Sequence, residues 1–202
     1  MKFNWFKKIV KDYPKFWETY LSYFDENQSK DKRYVVFDCE TTGLDYKSDR
    51  ILSIGAVAIQ NNQVIVGDFM EVFVQQDIFK PESVPIHGIL KEGKEEKIVE
   101  AEAIIRFLEF IKDATLVGHH VDFDIEMINQ GLDRLNVGTL KNQAMDTDVM
   151  YQKLKHLPYE QHTSLDELCD IYKIKKSDRH TASGDAFITA LLFLKLKKKL
   201  EI

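Results

Sequence analysis

The 202-residue sequence predicts an α/β domain with its strands gathered early and its helices late. Three observations lead there. Between Tyr34 and Gln75 the apolar residues fall into strand-type runs rich in β-branched side chains. Beyond Glu100 they recur at helical spacing, interrupted by short strand-like stretches. The composition, 44% hydrophobic and 30% charged, is that of an ordinary globular domain and excludes a disordered or collagen-like chain.

Taken in order, Phe6, Ile9, Val10, Tyr13, Trp17, Tyr20, Leu21 and Phe24 have helical spacing with Pro14 between them, which predicts two short amphipathic helices. Asp12 is placed to cap the second. Residues 25–33 hold no apolar side chain and read as a linker, so residues 1–33 form an N-terminal helical extension and residues 34–202 the main domain. Tyr34 to Glu40, Ile51 to Gln60 and Val64 to Gln75 are predicted strands in meander order, the last two joined by an Asn61-Asn62 turn. A helix around Glu100 to Lys112, a strand Thr115 to Gly118, a helix around Asp122 to Leu135 and a strand near Ala144 to Thr147 follow. Helices then run to the end: Ser164 with Glu167 three residues on has the capping-box pattern, and Thr181 to Leu200 is the last and longest.

Several classes of function are excluded. No stretch approaches the roughly 18 apolar residues of a membrane span, and Met1 to Val10 alternates lysines with aromatics, so a cytoplasmic protein without membrane association is expected. Cys39 and Cys169 form no CxxC pair, which leaves neither a disulfide framework nor a cysteine zinc site. The net charge of −5 argues against coating of duplex nucleic acid by counterion release, yet leaves end-binding enzymes open. The acidity lies in the main body, where 28 Asp and Glu oppose 20 Lys and Arg.

Three segments carry candidate chemistry. Asp38 and Glu40 lie two apart on a predicted strand, hence on one face, with Cys39 turned the other way into the core. Two adjacent carboxylates repel, and oxygen-only ligands suit Mg²⁺ or Mn²⁺; a solvated strand end is the plain alternative. Thr41-Thr42-Gly43-Leu44 follows, a hydroxyl-rich turn whose glycine admits close approach of a sugar or phosphate. Asp124 falls in the first turn of a helix, where the dipole favours a carboxylate whether or not it is a ligand, and Phe123 beside it reads as core. His180 sits in a polar loop before the last helix, with Asp185 in that helix's early turns. Such a pair is either plain surface or a base that meets its proton only when substrate is bound.

Together these segments resemble the DnaQ-like family of 3′→5′ exonucleases of the DEDDh group. Asp38-Cys-Glu-Thr-Thr-Gly-Leu44 is similar to the family's strand-ending D-x-E-T-T-G-L, His120-Val-Asp-Phe-Asp124 to its N-x-x-F-D pattern, and His180 to Ala186 to its H-x-A-x-x-D-A. Ile86-His-Gly-Ile89 and Met145-Asp-Thr-Asp148 resemble two further family segments. The resemblance spans roughly Tyr34 to Leu200 and departs at His120, where many members carry asparagine. His119 and His120 are expected in ordinary polar packing, His87 in loop structure, and His156 and His162 on the surface.

The resemblance implies a ribonuclease H-like fold: a mixed five-stranded sheet with helices on both faces. It implies two Mg²⁺ or Mn²⁺ ions, Asp38 bridging both, Glu40 and Asp185 on the first and Asp124 on the second, with His180 as general base. Thr41, Thr42, Leu44 and Phe123 would hold the terminal nucleotide. The implied activity is release of 5′-mononucleotides from a single-stranded or frayed 3′ end, DNA being the preferred expectation. The alternatives are an exoribonuclease of the same family or a catalytically idle module binding nucleic acid or protein. The chain stops directly after its last helix, which favours a stand-alone nuclease over a polymerase subunit. The N-terminal helices, with Trp5 and Trp17 as anchors, could dock a protein partner, although such a stripe more often packs on its own domain. Lys173, Lys175, Lys176 and Arg179 flank His180 and could guide an incoming strand.

Overall fold

The computed structural model describes residues 13–25 and 32–202, so Trp5, the first predicted helix, Asp12 and most of the polar linker lie outside the described residues. Three strands, β1 (Tyr34–Thr41), β2 (Ile51–Gln60) and β3 (Gln63–Gln75), pair antiparallel in meander order. Asn61 and Asn62, at φ 51° and 59°, make the tight turn between β2 and β3. The strands β5 (Thr115–Gly118) and β6 (Ala144–Asp146) then extend the sheet in parallel beyond β1. The sheet has six strands rather than the expected five, in the order β4-β3-β2-β1-β5-β6. The addition is β4 (Lys97–Val99), parallel to the end of β3. Three residues opened by a lysine are too few for a period-two signal, which is why the sequence did not reveal it.

Alternation along β1 divides the hydrophobic interior in two. Val35, Phe37 and Cys39 point to one face, where Trp17, Ile104, Phe107 and Leu132 cover them. That cover is made by α1 (Lys15–Ser22), α3 (Glu100–Ile111) and α4 (Val121–Arg134). Tyr34 and Val36 point to the other face, against Leu168, Leu192 and Phe193. Here α5 (Thr147–Lys155), α6 (Leu165–Tyr172) and α7 (Ala182–Leu200) provide the cover. A short α2 (Val84–His87) lies between β3 and β4. His87 is buried in that turn: its Nδ1 accepts from the Ile89 amide at 2.9 Å and its Nε2 pairs with Ser83 at 3.0 Å, a structural role as expected.

Local signals were realised. Ser164 and Glu167 form the capping box of α6, and Thr181 caps α7 by accepting from the Gly184 amide. In α1, Trp17 and Tyr20 are buried, and the Tyr20 hydroxyl donates to Asn142 at 2.6 Å while accepting from the Lys141 amide. Trp17 is therefore part of the domain's own interior and is not an anchor for a partner. No helix among the described residues is long and apolar enough to cross a membrane.

Candidate active site

The row of β1 side chains that begins with Tyr34 and Val36 continues as Asp38 and Glu40, so the carboxylates face α7 where that helix begins. Asp38 stands opposite Gly55 on β2. A Cβ at Gly55 would lie 2.2 Å from the backbone of Ala182 and Ser183, so glycine is what allows the first turn of α7 to settle on the sheet. That turn carries Asp185. Oxygen atoms of Asp38, Glu40 and Asp185 all lie within 4.8 Å of one another.

Asp124 arrives from the opposite face. Pairing of β1 with β5 ends at Val36, which leaves the Cys39 amide without a strand partner. The buried Asp124 carboxylate, in the first turn of α4, accepts from it at 3.1 Å. A residue to which the sequence assigned no role, Asp146 of the Met145-Asp-Thr-Asp148 segment, helps to hold it there: it caps α5 and also accepts from the Val121 amide of α4 at 2.8 Å. The signal was local for one helix, Asp146 preceding Asp148 and Val149, but nothing in the sequence announced the second.

The electrostatics follow from this crowding. Burial first, then Asp124, Asp185 and Glu40, push the Asp38 carboxyl well above the usual carboxylate range. Burial and Asp185 push Glu40 up to about 7. Burial raises Asp124 to about 8 against the lowering effect of its Cys39 hydrogen bond. One oxygen of Asp185, Oδ1, is buried with no partner among the described residues. An orphaned carboxylate oxygen beside two further carboxylates, with no nitrogen or sulfur donor, fits hard divalent cations such as Mg²⁺ or Mn²⁺.

His180 has a left-handed backbone (φ 62°) and an exposed ring, and its amide donates to Asp185 at 3.3 Å. The Thr41–Leu44 turn is held from within: the Thr41 hydroxyl donates to the Gly43 carbonyl at 2.7 Å, and Leu44 is 86% exposed. Thr42 is buried, its amide bonded to the Arg50 carbonyl and its hydroxyl to Asp49 at 2.6 Å. Both of its donors are engaged within the turn, which it shapes. Asp49, buried and paired with Lys80, is a positioning residue that sequence reasoning missed. Phe123 is half-buried and packs against the α3–α4 core.

Two of the cations near His180, Lys176 and Arg179, are engaged. Arg179 makes two 3.0 Å bonds to Asp166 and a further ion pair with Asp185, and Lys176 pairs with Asp170 and Asp166. Arg179 thus lies against the carboxylate cluster instead of forming part of an open basic track. His156 is exposed at the end of α5 as expected. His120 and His162 are both more than half exposed, and both also face the buried Asp148, a pairing the sequence did not reveal.

Comparison with known proteins shows the family. An exonuclease family model of the RNase T type matches residues 35–193. The PolC-type DNA polymerase III of Caldanaerobacter subterraneus subsp. tengcongensis is 34% identical over 188 residues, which is 88% of this chain and 12% of that protein. The DNA polymerase III epsilon subunit of Salmonella typhimurium is 34% identical over 172 residues, 80% of this chain and 70% of the subunit. The chain thus spans about an eighth of the PolC-type relatives it matches. Among solved structures, E. coli exonuclease I in complex with a dT13 oligonucleotide superposes with a TM-score of 0.72 at 21% identity, over 84% of this chain and 42% of that one. Exonuclease X in complex with 5′ overhanging duplex DNA gives 0.66 at 19% identity, over 84% and 93%.

Proposed function

The chain belongs to the DnaQ-like exonuclease family, and from that premise we propose that it hydrolyses phosphodiester bonds stepwise from the 3′ end of DNA, releasing 5′-mononucleotides. The observation that carries the reading is the convergence of Asp38, Glu40 and Asp185, with Asp124 fixed beside them on the Cys39 amide. Asp38, Glu40 and Asp185 would hold one divalent ion, and Asp38 and Asp124 a second. When bound, such a pair activates water and stabilises the charge that develops on the phosphate and the leaving 3′-oxygen.

The chain's own residues supply the rest. The His180 imidazole, free in its loop, accepts the proton of the attacking water. Its place is set by the hydrogen bond that its backbone amide donates to the Asp185 carboxylate and by Gly184, where a Cβ would meet the Asp178 carbonyl at 2.0 Å, so the loop lies directly on the first turn of α7. Leu44, standing clear of the surface, wedges against the terminal base; Thr41 and Phe123 line its path, and Thr42 with Asp49 keeps the turn rigid. Part of this proposal is a division into an extension, 1–33, whose α1 packs into the interior of an exonuclease domain, 34–202, and a cytoplasmic setting.

DNA is favoured over RNA because the similar solved exonucleases hold DNA oligonucleotides. The test is product analysis of 5′-labelled single-stranded DNA and matched RNA in Mg²⁺ or Mn²⁺. A ladder shortening from the 3′ end, absent with chelator, is expected for DNA. His180→Ala should slow it by about 10²- to 10⁴-fold while metal affinity is kept. Shortening of RNA alone would reassign the substrate, and no shortening of either strand would favour a binding module.

A further inference from the structure

Outside the carboxylate cluster, three side chains from three segments meet, two histidines around one buried acid. Asp148, at the start of α5, is 1% exposed. His162 Nδ1, from the loop before α6, lies 2.7 Å from Asp148 Oδ2, and His120 Nε2, at the start of α4, lies 3.3 Å from the same oxygen. The three ligand atoms are all within 4.8 Å of one another. We propose that His120, Asp148 and His162 form a transition-metal site, separate from the carboxylate cluster, that takes Zn²⁺ or a cation of similar ligand preference.

The donor set argues for that class. Two imidazoles and one carboxylate suit Zn²⁺, Co²⁺ or Ni²⁺, whereas Mg²⁺ prefers oxygen ligands and water. Three protein ligands also leave a fourth position free. The two imidazoles are 51% and 58% exposed, so the open side of the cluster faces solvent and an ion has a path in.

The surroundings orient the ligands. The Thr163 amide donates to Asp148 Oδ1 at 3.0 Å. Gln152, buried, donates to Oδ2 at 3.2 Å and also to the Tyr159 and Gln161 carbonyls at 3.1 Å, which ties the 156–164 loop to the same carboxylate. Behind His120, the His119 ring stacks at a centroid distance of 4.4 Å and is anchored by Thr147 at 2.9 Å. With Thr163, Gln152 and His162 already satisfying Asp148, hydrogen bonding alone has no need of His120. A cation placed among the three would use all of them and would clamp α4, the helix that carries Asp124, to α5 and the 156–164 loop.

The test is zinc and cobalt binding by the full chain in excess Mg²⁺, read by equilibrium dialysis and by the visible ligand-field absorption of Co²⁺. One equivalent of Zn²⁺, and a Co²⁺ absorption of low-coordinate type, are expected for the wild type. Both should be lost in His162→Ala and in Asp148→Asn, and weakened at least about tenfold in His120→Asn, whose exposed position leaves the fold intact by circular dichroism. The same equivalent should persist in Asp38→Ala, which disables the carboxylate cluster. The proposal is overturned if the wild type takes up no zinc, if His162→Ala and His120→Asn bind as the wild type does, or if Asp38→Ala abolishes the binding. Because no readout is hydrolysis, failure here and failure of the nuclease reading are distinguishable.

Discussion

The two ends of the contact between β1 and α7 are built on one plan and do opposite things. At one end Tyr34 and Val36 bury against Phe193, with the rings of Tyr34 and Phe193 5.0 Å apart. At the other end the same strand row presents Asp38 and Glu40 to Asp185 on the same helix. Apolar burial stabilises the first end, while desolvation and mutual repulsion oppose the second. The comparison shows how a cluster of carboxylates can be preorganised: the packed end fixes the helix against the strand, and the charged end has no freedom to spread apart.

The sharpest way to break the comparison is to remove one charge. Asp38→Ala should abolish hydrolysis in the ladder assay yet raise the melting midpoint of chelator-treated protein by roughly 2–4 °C, since about 1 kcal/mol of repulsion is relieved. A lower midpoint would show that the cluster is not under electrostatic stress. At the packed end Phe193→Ala should behave in the reverse manner, losing about 3–5 kcal/mol in urea unfolding through the cavity it leaves. Whatever fraction remains folded should hydrolyse at the wild-type rate per active site; a proportionate fall in that rate would mean that the two ends are coupled more tightly than rigid support requires.

Gly55→Ala probes the joint between the ends. Its new Cβ would meet the Ala182–Ser183 backbone at 2.2 Å, so the start of α7 must lift and take Asp185 with it. The expected outcome is a loss of about 1–3 kcal/mol of stability with a weaker apparent affinity for Mg²⁺. Unchanged metal dependence would place the pivot elsewhere.

The last test is of pH dependence. Glu40 and Asp124 titrate at about 7 and about 8 in the folded chain, above the ordinary carboxylate values, so the folded state binds more protons than the unfolded state between about pH 4 and pH 8. Metal-free protein should therefore lose stability as pH rises through that window, and saturating Mg²⁺ should flatten the curve. A chelated sample whose midpoint rises over the same interval would reverse the sign of both shifts.

Much of this was legible in the chain because the signals are local. A period of two places Asp38 and Glu40 together and Cys39 opposite, and the Ser164–Glu167 box and the Asn61-Asn62 turn each occupy a few neighbouring residues. Other parts were not legible because their partners are remote. Asp49 and Lys80, or Arg179 and Asp166, are 31 and 13 residues apart with no periodicity between them. His162 looked like surface and is half exposed, but its neighbour Asp148 is known only from the folded chain. Gly55 carried a readable hint, a glycine inside a mostly apolar strand, although not the identity of what it admits.

By itself, then, the sequence determined most of the element types and the α/β class, since strand alternation and capping are properties of short segments, and its resemblance to a known family implied the grouping of Asp38, Glu40, Asp124, His180 and Asp185 as one candidate site. Only the tertiary structure decided that the acidic row of β1 faces α7, that Asp124 reaches it through the free Cys39 amide, and that Thr42 is spent on its own turn. The physical reason is that side-chain direction is set by local backbone geometry, whereas which charges share one desolvated space is set by the packing of distant segments on a common sheet.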